Sequence, residues 1–174
     1  MLRLFVGIAL PPEVKLRLSL LASGVPGAKW VDPGNYHLTL RFIGEVDEGQ
    51  AEDIDTGLLQ IHAPRFDVAL AGIGHFGLRQ LYVGVERNAA LQHLHDKVET
   101  VLQRFGFPPE ERRYTPHVTL ARLKGVTESR LQSYLGAQAL FRAAPFRVDA
   151  FSLIASYLTK SGAIYEDQAD YRLS

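Results

Sequence analysis

An α+β fold with antiparallel or mixed sheets is the architecture this sequence predicts, on two observations. Strand-like and helix-like segments alternate, yet several adjacent strands are joined by links too short for a parallel crossover. A histidine tetrapeptide also occurs twice, as His37-Leu38-Thr39-Leu40 and His117-Val118-Thr119-Leu120. The offset of 80 residues divides the chain into two comparable halves.

The elements follow in order. Leu2 to Leu10 is short and apolar and reads as a buried strand. Pro11-Pro12 ends it, and Pro12 suits the first turn of a helix carrying Val14, Leu16, Leu18, Leu20 and Leu21, which Gly24 closes. Lys29 to Val31 is a short strand or loop, and Tyr36 to Ile43 a strand. Asp47 to His62 reads as an acidic amphipathic helix with Ile54, Leu58 and Ile61 on one side. Phe66 to Leu70 alternates and Leu81 to Val85 is β-rich, which predicts two strands. Asn88 can cap a helix running to Phe105, with Leu91, Leu94, Val98, Val101 and Leu102 on its apolar face, and Gly106 stops it. His117 to Leu123 is again a strand, and Thr127 to Gln138 a weaker helix. Phe146 to Leu158 and Ala163 to Leu173 form a closing hairpin around Lys160-Ser161-Gly162.

A chain of 174 residues suits one domain, or two small lobes sharing an interface. The apolar fraction of 47% and charged fraction of 22% are ordinary for a globular protein. Nineteen bases balance nineteen acids, which argues against a protein that coats long nucleic acid through a basic surface. The balance is uneven along the chain. Six acids and no base lie between Glu45 and Asp55, whereas nine bases and four acids lie between Arg104 and Lys160. With no cysteine, disulfides, thiolate zinc sites, iron–sulfur clusters and cysteine nucleophiles are excluded. No apolar run reaches the ~18 residues of a membrane helix. The first dozen residues look faintly like a signal peptide, but the apolar core is short, ends in two prolines and is followed by no A-x-A-like site, so a strand and a cytoplasmic protein are expected.

The repeated tetrapeptide has a chemical reading. Residues i and i+2 of a strand share a face, so His37 and Thr39 lie opposite Leu38 and Leu40, and His117 and Thr119 opposite Val118 and Leu120. If an approximate two-fold axis relates the halves, the two His–Thr pairs face one another across a groove. Imidazole titrates near neutrality, so one copy can accept a proton while the other donates one. Threonine hydroxyls can hold phosphate oxygens in line. Such a set suits phosphodiester chemistry and requires no metal. Arg122 could add positive charge, but strict alternation puts it on the Leu120 face, so it must lie at a strand end or a bulge to join the site.

Other motifs carry less. Gly72-Ile73-Gly74-His75-Phe76-Gly77 matches the dinucleotide fingerprint, but that fingerprint needs a helix next. Here Leu78 to Val85 is strand-like, and the glycines are expected to shape a loop between strands. His93 and His95, two apart in a helix, point in different directions and make poor metal ligands. His62 and His75 read as surface or loop residues, and Arg112-Arg113 as a solvated pair.

The chain resembles the 2H phosphoesterase superfamily, which is defined by two H-x-[ST]-x motifs. Within it the chain is most similar to the RNA 2′,3′-cyclic phosphodiesterase family, also called 2′-5′ RNA ligase or LigT-like. The resemblance is carried by Leu4-Phe5-Val6-Gly7-Ile8, Trp30-Val31, Asn35 to Glu45, Gly72 to Phe76 and Tyr114 to Arg122, in order over nearly the whole chain. It implies a bilobal α+β fold with two antiparallel-rich sheets flanked by helices around a central cleft, residues 1–174 forming a single domain of two pseudo-symmetric lobes. It implies hydrolysis of a 2′,3′-cyclic phosphate at an RNA end to a 2′-phosphate, with no cofactor and no metal, and reversible 2′-5′ ligation in some members. It implies His37 as general acid and His117 as general base, although the symmetry of the motif leaves their order open. Thr39, Thr119 and Arg122 would bind phosphate, and Phe42 the terminal base. The expected partner is RNA with a 2′,3′-cyclic end, such as a tRNA fragment, met by a monomer away from any membrane. Two alternatives stay open: a cyclic phosphodiesterase of small nucleotides, and a non-catalytic module that binds RNA ends.

Overall fold

The computed structural model describes residues 1–174. Its strands are β1 (Leu2–Ala9), β2 (Ala28–Trp30), β3 (His37–Val46), β4 (Phe66–Val68), β5 (Leu70–Phe76), β6 (Gln80–Val85), β7 (His117–Leu123), β8 (Phe146–Val148), β9 (Ala150–Thr159) and β10 (Gly162–Arg172). The helices are α1 (Pro12–Ser19), α2 (Glu48–Leu59), α3 (Ala89–Arg104) and α4 (Glu128–Ala137), with a 3₁₀ turn at Pro33–Asn35. One four-stranded sheet has the order β10-β9-β1-β3, another the order β2-β7-β6-β5, and β4 pairs with β8 in a two-stranded ribbon. Every pairing is antiparallel, so the α+β expectation holds in its antiparallel form. No helix is long and apolar enough to cross a membrane.

Capping chemistry sets the helix starts. The Asp47 carboxylate accepts from the Gln50 amide and the Gln50 side chain accepts from the Asp47 amide, a reciprocal box at the start of α2. Asn88 Oδ1 accepts from the Leu91 amide at 2.9 Å to start α3, and Thr127 caps α4.

The repeat extends beyond the tetrapeptide. β7, α4, β8 and β9 each begin 80 residues after β3, α2, β4 and β5 respectively. In the ribbon Asp67 pairs directly with Arg147, its own counterpart at that offset. Leu38, Leu40, Val118 and Leu120 are at most 1% exposed and belong to the apolar core. Burial of that face against the core leaves the opposite face of both motif strands for His and Thr.

Three expectations about elements need correction. Leu70–Phe76 is a strand and not a loop. Gly72, with φ +76°, sits where the register of β5 against β6 shifts, a conformation glycine adopts without Cβ strain. Gly74 lets the Tyr82 ring lie so close that a Cβ there would stand 2.5 Å from it. The run Phe66 to Leu70 is split between β4 and β5, and Phe146 to Leu158 between β8 and β9. At both breaks the chain leaves the ribbon and enters a four-stranded sheet.

Candidate active site

Both motif strands carry the same irregularity. In β3 the register against β1 shifts between Val6, opposite Arg41, and Gly7, opposite Thr39. In β7 the register against β6 shifts between Leu81, opposite Ala121, and Tyr82, opposite Thr119. At each of these two shifts one extra residue is accommodated in the motif strand, and two consecutive side chains turn inward: Leu40 with Arg41, and Leu120 with Ala121. A bulge of this kind reverses the alternation beyond it. Arg122 therefore returns to the His117–Thr119 face, and Phe42, at the same offset in the first half, to the His37–Thr39 face.

These side chains meet in a cleft of about 240 Å³, lined among others by His37, Thr39, Phe42, Thr119 and Arg122. The cleft also takes residues that the sequence reading missed, chiefly Gln80, Phe5 and Tyr165. The motif strands β3 and β7 lie against one another, and the Tyr114 hydroxyl ties them by donating to the Thr39 carbonyl at 2.8 Å. Burial raises the Tyr114 pKa well above the ordinary tyrosine range, with Glu110 adding to it, so this donor stays protonated.

Each histidine is oriented from behind by a carbonyl. His37 Nδ1 lies 3.2 Å from the Asn35 carbonyl and His117 Nδ1 2.6 Å from that of Thr115. A carbonyl can only accept, so Nδ1 carries hydrogen in both rings and Nε2 is the nitrogen left for other partners. Aromatic rings brace each imidazole edge-on or tilted. Phe5 and Tyr165 flank His37 with centroids at 6.1 and 5.6 Å, and Phe76 and Tyr82 flank His117, both at 5.1 Å. Burial holds both pKa values below the ordinary 6.5. The carbonyl bonds oppose this in each ring, and for His37 Lys15 lowers the value further while Asp167 raises it.

The two halves differ at one informative place. Opposite Phe42 stands Phe5, whereas opposite Arg122 stands Gln80. The Gln80 amide nitrogen lies 2.7 Å from Thr119 Oγ1 and 3.3 Å from His117 Nε2. Because Thr115 fixes the Nδ1 hydrogen, neutral His117 presents a lone pair at Nε2, which the Gln80 amide N–H suits. Thr119 accepts from the same amide, leaving its own hydroxyl hydrogen free for a ligand. The sequence signal for Gln80 was its position one residue before the expected strand Leu81 to Val85. Only the β6–β7 register turns that position toward His117.

Phe42 is 43% exposed, and the Arg3 guanidinium sits over its ring at 5.2 Å. Arg41 is 7% exposed and pairs with the equally buried Glu99 of α3, while also donating to the Phe42 and Pro108 carbonyls. Buried His95 stacks on Tyr114 with centroids 4.0 Å apart, and His93 is exposed. No group of three or more His, Asp or Glu side chains is arranged to hold a metal ion.

The family model described as the 2′-5′ RNA ligase superfamily matches residues 17–159. The RNA 2′,3′-cyclic phosphodiesterase of Aeropyrum pernix is 39% identical over 158 residues, covering 87% of this chain and 89% of that protein. The protein of the same name from Methanothermobacter thermautotrophicus is 31% identical and covers 98% of both chains. Among solved structures, E. coli LigT complexed with 3′-AMP matches with a TM-score of 0.83 at 25% identity, covering 99% of this chain and 98% of that one. With paired His-x-Thr strands, a family match over most of its length and such relatives, the chain belongs to the 2′-5′ RNA ligase superfamily of 2H phosphoesterases.

Proposed function

We propose that this protein hydrolyses the 2′,3′-cyclic phosphate at an RNA end to a 2′-phosphate, by metal-independent general acid–base catalysis. The observation that carries the reading is the convergence of His37, Thr39, Thr119, Arg122 and Gln80 on one small cleft, with His117 Nε2 3.3 Å behind the Gln80 amide nitrogen. The names of the relatives support the same chemistry. Residues 1–174 act as a single domain of two pseudo-symmetric lobes, working as a monomer.

In the proposed step, Thr39, Thr119 and Arg122 hold the phosphate oxygens. Neutral His117 takes a proton from water at Nε2 as the water oxygen bonds to phosphorus. His37, protonated, gives its proton to the departing 3′-oxygen as the P–O3′ bond breaks. The phosphate stays on the 2′-oxygen, and proton exchange with solvent resets the pair. This order is supported by Gln80, whose N–H favours neutral His117. Gln80 is a positioning residue for His117 and Thr119, and Phe42 offers a ring to the terminal base. With an RNA 5′-hydroxyl in place of water, the same groups would form the O5′–P bond as the P–O3′ bond breaks, leaving a 2′-5′ phosphodiester and a free 3′-hydroxyl, which is ligation.

The test is turnover of an oligonucleotide ending in a 2′,3′-cyclic phosphate, in chelator. Replacing His37 or His117 with Ala should cost about 10²–10⁴-fold each, while circular dichroism shows an unaltered fold. Full activity of both variants would refute the assignment.

A further inference from the structure

A second groove of about 470 Å³ opens beside the cleft and shares Asn35, Arg122 and Tyr165 with it. The cleft alone falls below the roughly 300–1,000 Å³ usual for small-molecule sites, and the groove lies within that range. Strand β2 forms one wall. Lys29 of β2 pairs directly with Arg122 of β7, and both side chains line the groove. Directly opposed residues on one face have Cβ atoms about 5 Å apart, and like charges there are destabilising. Neither cation is within ion-pair distance of a carboxylate. Asp32 is the one acid lining the groove, and its side chain caps the 3₁₀ turn by accepting from the Gly34 amide at 2.8 Å. Two cations are thus held side by side with no carboxylate paired to either. The far wall is the β9–β10 hairpin, where Leu158 pairs with Ala163 on the face toward the cleft and is 70% exposed. An apolar side chain this exposed, opposite a cationic wall, suits a flat heterocycle whose backbone is anionic.

We infer that this groove is a subsite for the second nucleotide of an RNA end: Lys29 holds the phosphodiester on the 5′ side of the terminal nucleotide, and Leu158 receives the adjoining base. The inference rests on the proposed cyclic phosphodiesterase activity and specifies its substrate as an oligonucleotide. Arg122 grips the reacting phosphate, and Lys29, one strand away at about 4.8 Å, takes the next one along the chain.

The experiment compares kcat/KM for a dinucleotide ending in a 2′,3′-cyclic phosphate with that for a 2′,3′-cyclic mononucleotide. The wild-type ratio should be at least tenfold in favour of the dinucleotide. Lys29→Glu should lower this ratio at least tenfold and Lys29→Arg should largely keep it, with thermal melting as the control for folding. The salt dependence of log KM for the dinucleotide should lose about 0.7 of slope in Lys29→Ala, the value for one single-strand phosphate contact. A wild-type ratio near one, or a ratio unmoved by Lys29→Glu, would overturn the subsite while leaving the phosphodiesterase reading intact. Inactivity of the wild-type protein toward both substrates would remove that reading and the subsite with it.

Discussion

At the scale of single residues, the structure holds two chemically equal histidines in unequal surroundings, which the proposed mechanism uses. Burial, the largest cause, keeps both below pKa 6.5 in the folded chain. The folded state therefore binds fewer protons than the unfolded one just below that pH, so this contribution to stability is complete above 6.5 and is lost as pH falls through the lowered values. Melting temperatures measured from pH 7 to pH 5 should fall less steeply in a His37→Gln, His117→Gln double variant than in the wild type. In kcat/KM, which reports the free enzyme, the bell should peak on the acidic side of 6.5. Gln80→Leu removes the donor that favours neutral His117. Its acid limb should move to higher pH and kcat should fall about tenfold, the worth of a hydrogen bond of about 1.4 kcal/mol. An unmoved limb would mean that Gln80 does not act through His117.

At the scale of elements, the bulge decides what alternation alone could not. The period-2 pattern was legible in Leu38/Leu40 and Val118/Leu120, and it assigned the His–Thr face from residue types only. Arg122 lay on the wrong side of that pattern because an inserted residue in a strand leaves no mark in hydrophobicity: Leu120 and Ala121 are both apolar, and both are buried. Likewise the glycines from 72 to 77 read as a loop, since their purpose, a register shift and the approach of Tyr82, depends on a neighbouring strand. Gly74→Ala should force Tyr82 away from His117. Overpacking of this kind costs about 1–3 kcal/mol, read as a lower denaturation midpoint, together with a loss of kcat. Unchanged kcat would show that the Tyr82 brace is dispensable. Arg41, turned inward by its own bulge, anchors β3 to α3 through Glu99. Glu99→Ala leaves the buried Arg41 with the Phe42 and Pro108 carbonyls and Glu110 at 3.7 Å, and should cost about 1.5–3 kcal/mol in chemical denaturation.

At the scale of the whole molecule, neighbours in sequence are exchanged between the sheets. β9 and β10 from the second half complete the sheet of β1 and β3, while β2 from the first half extends that of β7 and β6. The 80-residue offset was visible in the tetrapeptides, but this exchange was not, because a two-fold relation between halves does not state which strands cross over. A fragment ending at Val85 lacks β9, the partner of β1, and should remain unfolded by circular dichroism. The zero net charge takes its meaning at this scale too. On the proposed function, gripping one RNA end would take a few directed cations in a cleft, Arg122 and Lys29 in this proposal, and no basic coat. The most direct measurement of the central claim is the phosphorus NMR spectrum of an oligonucleotide with a 2′,3′-cyclic end after incubation with the protein in chelator. The account predicts conversion to a 2′-phosphate beside a free 3′-hydroxyl. A 3′-phosphate product, or an unchanged cyclic phosphate, would contradict it.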